Sequence, residues 1–293
     1  MIVITAATGN IGSKLTEKLL SKGRKVRVIG RSAQKLEAFK KKGAETFVGD
    51  AASGSDMARA FKGAEAVFAL VPPKYDEPDM TKHYDAVGEA YVSAIRQSGV
   101  KQVVFLSSVG AHMKDKNGPI AGLHRQEERL NKLSGVNVLH LRPGYFMENL
   151  FWSVPLIKQN GINGSSIRGD VAISMIATED IAEAAAGHLV SGIKSGGARE
   201  LLGERNVTLA EATAAIGKAI GKPDLKYIQF SYEDSEKAML GMGMGATTAK
   251  LMNEMNRGFN EGLILPLEQR NKENTTRTSI ESFAKVFANA YNN

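Results

Sequence analysis

Short apolar runs alternate with segments of helical period through the first half of this chain, and that alternation leaves very few folds open. The apolar runs are residues 2–6, 25–30, 45–48, 65–71, 102–107 and 136–141. Between them lie residues 11–20, 33–41, 55–61, 81–97 and 123–133, with helical spacing visible in Ile11, Leu15, Leu19 and Leu20. Strands that alternate with helices predict a parallel sheet covered by helices on both faces. The near-continuous apolar character of the runs agrees, because such strands are buried on both sides. Right-handed crossovers then lead to a doubly wound, Rossmann-type α/β fold.

The pattern changes after Asn149. Helices are predicted at 151–156, 178–189, 209–220, 235–240, 246–259 and 279–290, with short strands at 200–202 and 227–230 and a loop over 161–169. The expected organisation is a dinucleotide-binding domain over residues 1–150 and a smaller, α-rich substrate lobe over 151–293. The helix within 177–192 is expected to pack back onto the first domain. In doubly wound sheets, ligands bind in the crevice at the carboxyl ends of the strands.

Composition narrows the chemistry. With no cysteine in 293 residues, a disulfide framework, a thiolate nucleophile and a cysteine-ligated metal are excluded. This fits a reducing cytosol. The five histidines show no metal-ligand spacing. No apolar run is long enough to span a bilayer, and residues 1–5 read directly as a strand rather than a secretory leader. The net charge of +7 is scattered, with Lys40, Lys41 and Lys42 as the one tight run, so neither membrane nor nucleic acid is expected as a partner. The surplus favours a polyanionic cofactor instead.

The first strand runs into Thr5-Ala6-Ala7-Thr8-Gly9-Asn10-Ile11-Gly12-Ser13. Gly9 and Gly12 occupy the last two places of a dinucleotide-binding glycine fingerprint, and Ala6 stands where its first glycine belongs. Gly9 lets the backbone approach a pyrophosphate, Gly12 lets the helix pack closely on the strand, and the helix N-terminus supplies N–H groups for phosphate. The second strand ends at Gly30-Arg31-Ser32 rather than at an acid. A guanidinium there suits a 2′-phosphate, with Lys35 one turn further on, so NADP(H) is expected over NAD(H).

Several further segments match in order and spacing: Val28-Ile29-Gly30-Arg31, Val48-Gly49-Asp50, Phe105-Leu106-Ser107-Ser108-Val109, Leu141-Arg142-Pro143-Gly144-Tyr145-Phe146-Met147-Glu148-Asn149 and Thr278-Ser279-Ile280-Glu281-Ser282-Phe283-Ala284. With them the chain resembles the NmrA-like family of atypical short-chain dehydrogenases over nearly its full length. Within that family it looks closest to NAD(P)H-dependent quinone reductases and azoreductases. The resemblance implies that Thr8, Asn10 and Ile11 wrap the phosphates. It places Asp50 near the adenine and Leu70 and Val71 at the nicotinamide ribose. Pro143, Gly144 and Tyr145 would shape the nicotinamide pocket. Ser107 and Ser108, ending a strand, are candidates for the nicotinamide ribose, and Glu128 matches a family acid expected to be structural.

Ordinary short-chain reductases use a Tyr-x-x-x-Lys pair to protonate the product alkoxide. Here Ile120 and His124 occupy those places. A positioned general acid is worth roughly 10²–10⁴-fold in rate, so its loss argues against alcohol or sugar dehydrogenation. A quinone needs such help less, because the hydroquinone anion is delocalised and solvent can protonate it. The site must then hold a flat acceptor at near-attack distance in a water-poor space. Tyr145 and Phe146 are candidates for its aromatic wall, while Phe151 and Trp152 are expected to pack one lobe on the other. Tyr145 and His124 are the candidate catalytic groups. The stretch 241–245, Gly-Met-Gly-Met-Gly, is either a lid or a helix break. The reading that results is a flavin-free and metal-free NADPH-dependent oxidoreductase acting on a quinone or similar small aromatic acceptor, with a homodimer as an allowed assembly. The alternative is a non-catalytic NADP(H) sensor that regulates a protein partner.

Overall fold

A computed structural model describes all residues, Met1–Asn293. Its central sheet has the order β10-β6-β5-β4-β1-β2-β3. The strands are β1 (Ile2–Ile4), β2 (Val26–Gly30), β3 (Glu45–Val48), β4 (Ala66–Ala69), β5 (Gln102–Leu106), β6 (Asn137–Pro143) and β10 (Gly197–Leu201), and every pairing is parallel. Successive strands leave β1 in opposite directions, so the chain order reverses between β1 and β4. That switch point opens a crevice at the carboxyl ends of both strands.

Helices cover the two faces. On one face α1 (Asn10–Ser21) packs against α7 (Thr178–Ser191); on the other lie α3 (Gly54–Phe61), α4 (Met80–Ser98) and α5 (Ile120–Asn131). Each face has its own apolar core, one built on Ile4, Leu15, Phe68 and Leu189, the other on Val3, Phe61, Tyr91 and Phe105. Alternate β1 residues feed the two cores, as the strand period of two requires. The short α2 (Ala33–Lys41) flanks β2 and β3.

The rest of the chain builds a third core, containing Met147, Leu150, Ile216, Phe283 and Phe287. Its strands are β7 (Tyr145–Phe146), β8 (Ile162–Ser165), β9 (Ala172–Ile176), β11 (Asn206–Thr208) and β12 (Lys226–Gln229), in the orders β11-β9-β7 and β12-β8. Its helices are a 3₁₀ helix (Met147–Ser153), α6 (Val154–Asn160), α8 (Leu209–Ala219), α9 (Tyr232–Gly241), α10 (Ala246–Asn260) and α11 (Ile280–Asn292).

Three features depart from the sequence reading. The region 161–169, expected as a loop, contains β8. Its polar residues turn inward: Asn163 donates to Thr213 Oγ1 at 2.8 Å, and the Ser165 and Tyr227 hydroxyls meet at 2.7 Å. The apolar helix expected at 151–156 is divided between the 3₁₀ helix and α6, which carries Pro155 in its first turn. β10 begins earlier than the predicted strand and closes the edge of the central sheet, with Glu200 buried in it. Glu200 is satisfied there because its carboxylate accepts the N–H groups of Leu267 and Glu268 at 3.0 and 2.8 Å.

Candidate functional site

The crevice is latched at its base by Thr5. Its buried hydroxyl accepts the Leu70 N–H at 2.9 Å and lies 3.3 Å from the Phe68 carbonyl, so the ends of β1 and β4 move as one. Tyr91 Oη donates to the Leu70 carbonyl at 2.8 Å. Ala6, in the place of the first fingerprint glycine, has φ +50°, so the left-handed backbone of the turn survives without a glycine. A Cβ on Gly12 would stand 2.5 Å from the Ala6 carbonyl oxygen, and only glycine permits that approach.

Gly9 is the N-cap of α1 and supplies no side-chain acceptor, and the first turn carries no acid. The first N–H groups of α1 are therefore open, with the positive end of the helix dipole behind them. Thr8, Gly9 and Asn10 are exposed around this opening. The Ile11 side chain is buried in the core, so its N–H is all it can offer a ligand.

At the end of β2, Arg31 and Lys35 are both exposed and neither is engaged in an ion pair. Ser32 Oγ caps α2 by accepting the Lys35 N–H. Lys74, a cation the sequence reading passed over, is held by Glu77, which raises its pKa; Arg31 is near enough to oppose that rise. Asp50 follows β3 in a tight turn, accepting the Ala52 N–H at 2.9 Å and donating its own N–H to Asp56 at 3.0 Å. Leu70 is half-buried and Val71 buried at the end of β4.

At the other end of the crevice, Ser107 donates its hydroxyl proton to Glu127 at 2.5 Å. Arg142 grips the same carboxylate through two bonds, Nε at 2.9 Å and Nη2 at 2.5 Å. The carboxylate in turn raises the arginine pKa. Glu127 is thus the structural acid of this helix, whereas Glu128, expected in that role, is exposed. Helical phase decides between them: Glu127 faces β6 and Glu128 faces solvent. Pro143 is buried, its carbonyl accepting the Val109 N–H at 2.9 Å. A Cβ on Gly144 would lie 2.3 Å from the Ser174 carbonyl oxygen, so contact with β9 accounts for that glycine.

His124 Nδ1 lies 2.8 Å from the Ala111 carbonyl oxygen. A carbonyl only accepts, so Nδ1 carries the hydrogen. Nε2 is buried without a hydrogen-bond partner, 3.6 Å from the Glu128 carboxylate. In the neutral ring that nitrogen can accept a hydrogen bond but cannot give one. Tyr145 sits edge-on to Phe259, with ring centroids 6.1 Å apart, and burial pushes its phenol up while the nearby Asn149 side chain opposes that rise. Such a phenol stays protonated at any working pH and is a poor proton donor.

The aromatic run divides differently from the expectation. Phe146 is half-buried, with part of its ring packed against the central-sheet core. Phe151 stacks on Phe287 of α11 at 5.8 Å, inside the second core. Trp152 is 53% exposed, with its ring edge-on to Tyr75 at 5.6 Å. Residues 241–245 break the helical run between α9 and α10 and are tied down at one end. The Gly245 N–H donates to the Tyr75 carbonyl at 2.8 Å, and a Cβ there would stand 2.1 Å from the Glu77 oxygen.

Two motifs hold the halves together. Glu148 accepts the Thr178 N–H at 3.0 Å, capping α7, which has no cap of its own, and accepts from Lys14 of α1 at 3.3 Å. Asp180 accepts the Thr278 N–H and hydroxyl at 3.0 and 2.9 Å, fixing the entry to α11.

A doubly wound parallel sheet with an open helix end at its switch point defines a protein of the Rossmann type. The sequence profile of the NmrA-like family matches residues 1–284, and the chain belongs to that family. The NAD(P)H azoreductase of Xenophilus azovorans is 28% identical over 255 residues, covering 87% of this chain and 86% of that protein. Quinone oxidoreductase 2 of Escherichia coli strain K12 is 25% identical over 264 residues, 89% of each. Among solved structures, the NADPH-dependent quinone oxidoreductase of Escherichia coli complexed with NADPH is similar with a TM-score of 0.81 at 23% identity, covering 98% of this chain and 99% of that one. The Citrobacter sp. triphenylmethane reductase complexed with NADP(H) gives 0.79 at 20% identity, with 98% and 100% covered.

Proposed function

We propose that this chain is an NADPH-dependent oxidoreductase that reduces a quinone or similar flat electrophile. The observation that carries the reading is the uncapped first turn of α1 at the switch point, with unpaired Arg31 beside it and no Tyr/Lys pair at the opposite end. The named relatives, an azoreductase and a quinone oxidoreductase, support the same class of acceptor.

The residues present fit a phosphorylated dinucleotide. The N–H groups of α1 and the exposed Thr8 and Asn10 would receive the pyrophosphate, with Ala6, Gly9 and Gly12 keeping the turn close. Arg31 and Lys35 would take the 2′-phosphate, and Asp50 would border the adenine. Leu70, Val71, Ser107, Pro143 and Gly144 would frame the ribose and ring at the far end. Residues 1–150 then bind the cofactor and 151–293 shape the acceptor site, with α7 serving the first unit through its contact with α1.

When bound, the reduced nicotinamide supplies a hydride, the two electrons and one hydrogen that a quinone needs. The second proton comes from solvent, because burial pushes the Tyr145 phenol up and the His124 Nδ1 hydrogen is committed to the Ala111 carbonyl. Tyr145 is a wall that orients the acceptor and excludes water.

Steady-state oxidation of NADPH and NADH against a quinone panel tests the proposal. Saturable quinone reduction is expected, with NADPH preferred by about tenfold or more, the factor that one charged hydrogen bond of about 1.5 kcal/mol gives. Tight NADPH binding with no turnover of any acceptor would overturn it in favour of a sensor.

A further inference from the structure

We propose that Trp152 selects the acceptor, by stacking on the distal ring of a planar molecule that has more than one ring. The inference rests on the reductase reading above and adds a specificity residue to it. The 3₁₀ helix that carries Trp152 repeats every three residues, so side chains at i and i+3 eclipse. Met147, Leu150 and Ser153 form its buried row. Asn149 and Trp152 form another row, and the Asn149 side chain lies near enough to the Tyr145 hydroxyl to oppose the rise in its pKa. Tyr145, Asn149 and Trp152 therefore make one continuous track from the buried floor to the rim.

At the rim the indole is 53% exposed. Packing does not account for it, because Phe151 fills the place against α11. Tyr75 holds the indole from one side at 5.6 Å and an interplanar angle of 84°, and Tyr75 is itself fixed through its carbonyl by Gly245. Just over half of the side chain stays open to solvent. Tyr75 comes from the loop after β4 and Trp152 from the chain after β7, so the pair straddles the seam of the crevice. An acceptor whose reacting ring lies at Tyr145 would meet the indole through a second fused or conjugated ring extending along this row.

The test compares p-benzoquinone with 1,4-naphthoquinone and an anthraquinone sulfonate. In Trp152→Ala the KM of the multi-ring quinones is expected to rise about tenfold, the factor that about 1.4 kcal/mol of aromatic stacking gives. The KM values of p-benzoquinone and NADPH are expected to change less than about twofold, and Trp152→Phe should recover most of the loss. Equal effects on one-ring and multi-ring quinones, or none on either, would overturn the proposal. A second measurement does not depend on turnover. Trp152 is the only tryptophan, so its emission reports binding directly. With NADP⁺ present, saturable quenching by naphthoquinone below the range where benzoquinone acts supports the stacking role even if no acceptor is reduced. Linear, equal quenching by both refutes it.

Discussion

Replacing Glu127 with glutamine tests whether the charge under the crevice is structural. The Glu127 side chain is 6% exposed and that of Arg142 12%. Its carboxylate accepts three hydrogen bonds, one from Ser107 and two from Arg142. Glutamine keeps one oxygen, enough for Ser107, but turns an NH₂ group toward the guanidinium, donor against donor. Removing one partner of a buried pair costs about 3–5 kcal/mol when the other charge is left alone. Arg142 is not left alone, since Glu200 and Glu268 also lie close enough to raise its pKa. The cost expected for Glu127→Gln is therefore at or below the lower end, about 2–3 kcal/mol. The assay is urea unfolding followed by circular dichroism, with the m-value checked for constancy. Glu128→Gln, one residue on and exposed, should stay within about 0.5 kcal/mol of the parent. In a double-mutant cycle with Arg142→Met, the two losses should fall short of additivity by about 1 kcal/mol or more. A Glu127→Gln cost under about 1 kcal/mol, or additive losses, would refute the argument.

Arg31→Ala is expected to weaken NADPH binding roughly tenfold to a hundredfold, measured by isothermal titration, while leaving NADH unchanged; equal losses for both would deny it the 2′-phosphate. Ala6→Gly should raise stability by about 0.5–1 kcal/mol, because the left-handed backbone costs alanine about 1–2 kcal/mol and the freer unfolded glycine returns only part of that. A loss of stability in chemical unfolding would count against the turn geometry. His140 is buried, with one ring nitrogen bonded to Asn131 and the other unpartnered, and burial lowers its pKa below 6.5. The unfolded chain then binds more protons between the two values, so stability is complete above about pH 6.5 and falls as pH drops below it. Unfolding at pH 7.5 and 5.5 should show that loss, and His140→Phe should reduce it.

The central strands were legible because burial on both faces leaves no polar residue to obscure them. The same rule hid β8, where Asn163 and Ser165 are satisfied inward by partners far along the chain, and half of β10, where Glu200 is buried against backbone groups of residues 267 and 268. No local pattern announces a polar residue whose partner comes from elsewhere. Glycine carried two different messages. Gly12 is required by the turn that the fingerprint describes, but Gly144 and Gly245 are required by neighbouring backbone and say nothing by themselves about a ligand.

The aromatic run after β7 shows why a site can be half legible. Its composition announced an aromatic wall, but which rings face the crevice depends on helical phase. Phe151 and Trp152 are both expected to pack between the lobes, but as neighbours they lie in different rows of a 3₁₀ helix and only one turns inward. Phe151 faces inward, stacked on Phe287, and Trp152 faces outward against Tyr75. The phase is set where Glu148, committed to capping α7, pins the first turn of the 3₁₀ helix to Thr178. Glu148 would thus act on the proposed acceptor end through the 3₁₀ helix rather than by contact. Replacing it should alter the handling of multi-ring acceptors through Trp152 before it alters the cofactor turn, because α1 meets Glu148 through Lys14, whose nitrogen also keeps a 2.7 Å bond to Thr178.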